Sequence, residues 1–142
     1  MDRGYKLGFT SGGEHEGVGL TAVFAPELTR EAIFEAIQKR RVYGTTSVKI
    51  IVDFRLGGTF MGSELVMTGK SALCEIYAAG TDDIECITLV HKNGETVLLK
   101  DCGKEVNVKN EIPVEEGYYY IRLIQKDRNI AWSSPIFCVE VQ

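Results

Sequence analysis

At Ser47 the spacing of apolar residues changes, and that change constrains the fold more than any other feature of the chain. Val48, Ile50, Val52 and Phe54 point one way, while Lys49, Asp53 and Arg55 point the other. Successive side chains of a strand face opposite sides, so a period of two marks a strand with one buried face. Gly57-Gly58 ends this run. Ala72, Cys74, Ile76 and Ala78 repeat the pattern, and Gly80 closes it. The runs 84–91 and 95–100 flank Asn93-Gly94. Such a pair suits a type I′ hairpin turn, whose two central residues both need positive φ. Val106 and Val108 predict a short strand before Pro113. Tyr118 to Gln125 is rich in aromatic and β-branched residues, Asp127-Arg128-Asn129 turns the chain, and Ile130–Trp132 and Ile136–Val141 return. About seven short strands separated by turns predict an immunoglobulin-like antiparallel β-sandwich over residues 47–142.

Residues 1–46 follow a different grammar. Lys6 to Thr10 reads as a short strand, the glycine-rich stretch Gly12–Gly19 as a tight loop, and Leu20 to Phe24 as a second, buried strand. Pro26 breaks the chain. Thr29 is a good N-cap, with Glu31 in the first turn of a helix. Leu28 and Ile33 occupy the two positions of a hydrophobic staple. Ile33, Phe34 and Ile37 form an apolar stripe, and the helix closes on Lys39-Arg40-Arg41. The join at Val42–Ser47 is short, so the two regions are expected to pack together. The expected class is therefore mainly β (α+β), with a small β-loop-β-α segment ahead of the sandwich. A segment this small leaves sheet edges and apolar faces that want neighbours.

The basic run 39–41 is the chain's one concentration of positive charge, and favourable charge at a helix C-terminus accounts for it. With a formal net charge of −4 the chain lacks the basic stripe that a nucleic-acid partner requires. No apolar run approaches the ~18 residues that span a bilayer, and no apolar stretch follows the charged N-terminus as in a signal peptide. The expectation is a cytoplasmic protein with neither membrane nor nucleic acid as partner. Cys74, Cys86, Cys102 and Cys138 form no C-x-x-C pair. Reduced, structural thiols are expected, with a Cys74–Cys86 bridge as the alternative.

The loop carries the one pairing that suggests chemistry. Glu14 and His15 supply a carboxylate and an imidazole, the common ligands of hydrolytic metals. A catalytic metal takes about three protein ligands, and the only other histidine is His91, next to the 93–94 turn, where a surface position is expected. The glycine loop lacks the Lys-Ser/Thr of a phosphate-binding loop and leads into a strand, not a helix. No serine or cysteine sits in a nucleophile context. Trp132 with Tyr118, Tyr119 and Tyr120 suggests a sugar-stacking platform, although strands favour aromatics in any case.

Several runs belong together: Gly8-Phe9, Glu14-His15, Gly19-Leu20-Thr21-Ala22-Val23, Leu28-Thr29-Arg30-Glu31-Ala32-Ile33, Arg40-Arg41-Val42-Tyr43-Gly44-Thr45-Thr46 and Ala131-Trp132-Ser133-Ser134-Pro135-Ile136. With these runs the chain resembles the polymerase-and-histidinol-phosphatase (PHP) type metallohydrolases, in the branch related to carbaryl hydrolase. The resemblance is to the last third of such enzymes. It implies that residues 1–46 end a distorted β/α barrel with divalent metals at its mouth, and that a β-sandwich follows. It places Glu14 at the family's aspartate position and His15 at its histidine position as metal ligands. Gly12-Gly13 stands where the family has a small polar pair, and the early histidine pair that opens the family's metal site is absent.

The function so implied is the C-terminal portion of a metal-dependent hydrolase, of the ester or phosphoester class and inactive on its own. No catalytic residue is assigned. Zn or Mn is expected only in a site completed from elsewhere, and no other cofactor. The implied partner is the rest of a PHP barrel or another copy of the chain. The alternative readings are a free-standing binding or assembly module without catalysis, and a carbohydrate-binding sandwich.

Overall fold

The computed structural model describes residues 1, 3–13, 15 and 18–140. Among them the chain forms, in order, β1 (Leu20–Val23), α1 (Arg30–Gln38), β2 (Val42–Thr45), β3 (Ile51–Leu56), β4 (Thr59–Phe60), β5 (Glu64–Val66), β6 (Ser71–Ala79), β7 (Ile84–His91), β8 (Gly94–Lys100), β9 (Glu105–Pro113), β10 (Gly117–Gln125), β11 (Ile130–Ser133) and β12 (Ile136–Val139). The protein is mainly β, as the period of two predicts. Strands β4-β3-β6-β9 make a four-stranded sheet, and the other eight make a second sheet. The described pairings are antiparallel except β12 with β5. Phe54, Leu56 and Ile76 of the smaller sheet share one buried cluster with Ile87, Ile121 and Leu123 of the larger. Two antiparallel sheets closing on one core are consistent with a β-sandwich.

β3 shows why the alternation reads so clearly. Val52, Phe54 and Leu56 are fully buried while Ile51 and Arg55 face solvent. Its hairpin into β4 turns on Gly57 and Gly58, both at positive φ (54° and 75°), the backbone that a two-residue I′ turn requires. β10 is the spine of the larger sheet. One edge pairs with β7 from Tyr119 to Gln125; the other is shared by β12 and then β11. The break between β11 and β12 falls at Ser134-Pro135, because proline has no N–H for the ladder. Ser133 Oγ fills the gap by accepting the Ile121 N–H at 2.9 Å. From β11 the sheet continues through β2 to β1 at its edge.

Four details depart from the sequence reading. The stretch Lys6–Thr10 is not a strand. The Phe9 N–H goes to a side chain rather than to a neighbouring ladder, donating to Ser134 Oγ at 2.9 Å, and just beyond the stretch Ser11 donates to Thr21 Oγ1 at 3.0 Å. Part of the supposed join is itself β2, fully buried from Val42 to Thr45. Tyr43 stitches it to the other sheet, donating its hydroxyl to the Ile50 carbonyl at 2.9 Å and accepting the Val52 N–H at 3.4 Å. Burial pushes the Tyr43 phenol above its usual pKa. The hairpin at Asn93-Gly94 forms, but His91 pairs with Gly94, so the turn is centred one residue early on Lys92-Asn93. Finally, Pro113 lies inside β9, which runs the full nine residues from Glu105 to Pro113.

α1 begins as expected. Thr29 is extended (φ −118°, ψ 155°), and its hydroxyl accepts the Ala32 N–H at 3.3 Å. Lys39 reaches back to Glu35, which holds the Glu35 carboxyl below its ordinary range. The buried stripe, however, is Ala32 and Ala36. Leu28 is 93% exposed and makes no staple; Phe34 and Ile37 are also exposed. Small side chains let the helix lie close to its own chain, while Ile33 is half-buried between the two faces. The four cysteines are free thiols. Burial raises Cys74 and Cys138 to a pKa of about 11, as expected of thiols packed as small hydrophobes.

Candidate functional site

The arm 5–13 lies across the larger sheet near the β2–β11 boundary. Ser134 anchors it, with its hydroxyl accepting from Phe9 and donating to the Val42 carbonyl. Phe9 meets the Tyr120 ring edge-to-face, with centroids 4.9 Å apart. Gly8 and Gly44 are crossing points: a Cβ on Gly8 would lie 3.1 Å from the Arg40 side chain, and one on Gly44 3.0 Å from that of Ser11. At the end of the arm Ser11 bonds the Thr21 side chain of β1. His15 is exposed. Glu14, its predicted companion, lies outside the described residues. Among the described residues no group of three His, Cys, Asp or Glu side chains is positioned to hold a metal ion. A metal at His15 therefore needs a ligand set completed by other residues.

The aromatic run 118–120 is divided by the pleat. Tyr119 faces the core and is nearly fully buried. Tyr118 and Tyr120 stack on the opposite face with centroids 6.4 Å apart, and Phe9 covers Tyr120. Trp132 is half-buried, opposite Arg122 in register. These side chains make no continuous open platform.

At the other edge of the sheet lies a pocket of about 630 Å³, which the sequence reading missed. Its cause is a mismatch in sheet width. β3 contacts β11; counting outward from there, the smaller sheet ends at β9 after two more strands, while the larger continues through β10 and β7 to β8. The inner face of β8 therefore has no strand beneath it. Leu89, Leu98, Ile112 and Val114 line the interior, with Lys70, Glu116 and Glu140 among the polar residues around it. His91 also lines it. Ile87 and Leu89 face inward, so the period of two turns His91 inward as the last such residue of β7. Its ring stacks on Tyr119, directly opposite in register, with centroids 5.8 Å apart. His91 is thus half-buried at a pocket wall, not a surface residue of the hairpin, and counting the strand period through to its end would have found it. Burial raises the Tyr119 phenol above its usual pKa, and its oxygen accepts the Glu115 N–H at 2.9 Å.

A family model described as "Protein of unknown function (DUF3604)" matches residues 5–82. Three curated chlamydial proteins, each named only as uncharacterized, are similar to nearly the whole chain. The one from Chlamydia muridarum is 32% identical across 94% of this chain and 24% of its own length. That from Chlamydia pneumoniae is 31% identical across 96% and 25%, and that from Chlamydia trachomatis serovar D is 31% identical across 94% and 24%. The chain thus spans about a quarter of the length of the curated relatives it matches. No solved structure gives a significant match. No helix among the described residues is long and apolar enough to cross a membrane.

Proposed function

Because the chain belongs to the DUF3604 family of proteins of unknown function, we propose a function for it as part of a larger whole: the C-terminal portion of a metal-dependent hydrolase, of the ester or phosphoester class, that is inactive by itself. One observation carries the reading. Relatives about four times as long match nearly all of this chain, while the chain turns Leu28, Phe34 and Ile37 of its helix region toward solvent. Phe34 and Ile37, three residues apart, are neighbours on the helix surface, and a contiguous exposed apolar patch marks an interaction face. β1, alongside α1, is the edge strand of its sheet, and such an edge accepts a further strand.

In this reading residues 1–46 end a PHP-like barrel, and residues 47–142 are the immunoglobulin-like sandwich that follows it. The chemistry belongs to the barrel. A bound divalent metal there supplies Lewis-acid activation of water and substrate. This chain contributes His15 and Glu14 toward the ligand set, and the apolar face that seats the barrel. The test compares the 142-residue chain with a full-length relative on p-nitrophenyl ester and phosphoester substrates. Hydrolysis by the full-length protein that a chelator abolishes, with none by the 142 residues, is expected. Equal hydrolysis by the short chain, or none by a folded, metal-loaded full-length protein, overturns the reading.

A further inference from the structure

The pocket between β8 and β9 lies at the sheet edge opposite β1 and α1, and the reading above makes no use of it. We propose that it is a binding site for a small organic cation with an apolar body, an arylalkyl amine. The proposal is independent of the hydrolase reading, since a partner seated on α1 and β1 leaves the far edge open.

Three properties define the ligand. The volume, about 630 Å³, falls within the range of small-molecule sites. The interior of Leu89, Leu98 and Ile112 is apolar and takes a hydrocarbon or ring. The rim is acidic. Glu115 already accepts a hydrogen bond from Asn93 Nδ2 at 2.6 Å, whereas Glu116 and Glu140 carry no ion pair among the described residues, and Lys70 is the one lysine or arginine in the lining. Uncompensated carboxylates above an apolar floor select an amphipathic molecule whose charge is positive. The stacked His91–Tyr119 pair adds an aromatic wall, against which the ring of such a ligand packs.

The experiment titrates the 142-residue chain calorimetrically with tryptamine and with indole-3-propionate, which share a ring system and differ in the sign of charge. Tryptamine is expected to bind at least ~10-fold tighter, the discrimination of one well-placed charge pair. The E116Q/E140Q double variant should bring the two affinities together without moving the thermal midpoint. Amide chemical shifts should move on tryptamine addition at Leu89, Leu98 and Tyr119. Equal affinities in the native chain, a preference for the propionate, shifts confined to other surfaces, or no binding of either compound by the folded protein would each overturn the proposal.

Discussion

Phe34 and Phe54 are the same side chain in two settings. Phe54, in β3, is fully buried, whereas Phe34, in α1, is 61% exposed. The regions around them differ in the same way. From β3 onward, the alternating apolar residues find a facing sheet, and Tyr43 of β2 joins the same core. α1 fully buries only two alanines and turns Phe34 and Ile37 toward solvent. Yet β1 and β2 share the larger sheet with β10 and β11. The helix region is therefore firmly joined to the sandwich but incompletely covered. The difference separates residues that make this fold from apolar residues that it leaves exposed.

The contrast breaks most sharply at the core. Phe54→Ala is expected to cost about 3–5 kcal/mol in denaturant unfolding, as truncation of a buried aromatic does. That is a large share of a typical domain's ~5–15 kcal/mol. A cost below ~1 kcal/mol would mean that the two sheets do not close on each other as described.

The joint between the regions comes next. Gly62 has φ 87°, donates its N–H to the Pro135 carbonyl at 2.9 Å and accepts Arg40 Nε at 2.8 Å. A Cβ there would lie 2.2 Å from the Arg40 carbonyl oxygen, which is backbone and cannot swing aside. Gly62→Ala should cost at least the ~1–3 kcal/mol of a strained backbone position. If the helix end moves to accommodate it, protection from hydrogen exchange should fall in α1 first. Unchanged stability would show that the joint is looser than these contacts imply.

A smaller effect is confined to alkaline solution. Cys74 and Cys138, one in each sheet, are raised to about 11 because burial disfavours the thiolate. Each therefore contributes stability that is fully present below the unfolded thiol pKa of ~8.5 and is lost as pH rises toward 11. Unfolding free energy should fall over that window, and both thiols should resist alkylation at pH 8 while the chain is folded. Rapid modification of either would place it outside the core.

The sequence made the sandwich legible because its two faces differ in polarity, and a period of two is visible wherever one face meets a core and the other meets water. It failed where that contrast is missing. β2 is buried throughout and short, so it reads as a join; β4 and β5 are too brief to show a period. The arm before the loop is apolar enough to suggest a strand, but its N–H groups end on Ser134 and Thr21, partners far apart in the chain. The candidate site was legible only in part. Glu14 and His15 suggest ligand chemistry as a pair of adjacent residues, whereas the pocket beside His91 arises from the unequal widths of two sheets, a property of topology that no local spacing records.

The smallest expected effect is the most informative. In the helix, the sequence pattern and the structure disagree: the stripe Ile33, Phe34 and Ile37 has the spacing of a buried face, and Phe34 and Ile37 are exposed. Phe34→Glu in the 142-residue chain should change stability by no more than ~0.5 kcal/mol, the usual range for a surface position. It should also reduce any self-association or dye binding that the apolar face supports. In a polypeptide as long as the chlamydial relatives, a glutamate at the equivalent helix position would be forced under a covering partner, where an unpaired charge is costly. The same substitution should then destabilise by several-fold more. Equal and small effects in both contexts would mean that nothing covers the face, and the helix pattern would need another explanation. A large effect in the short chain alone would mean that Phe34 already packs against its own fold.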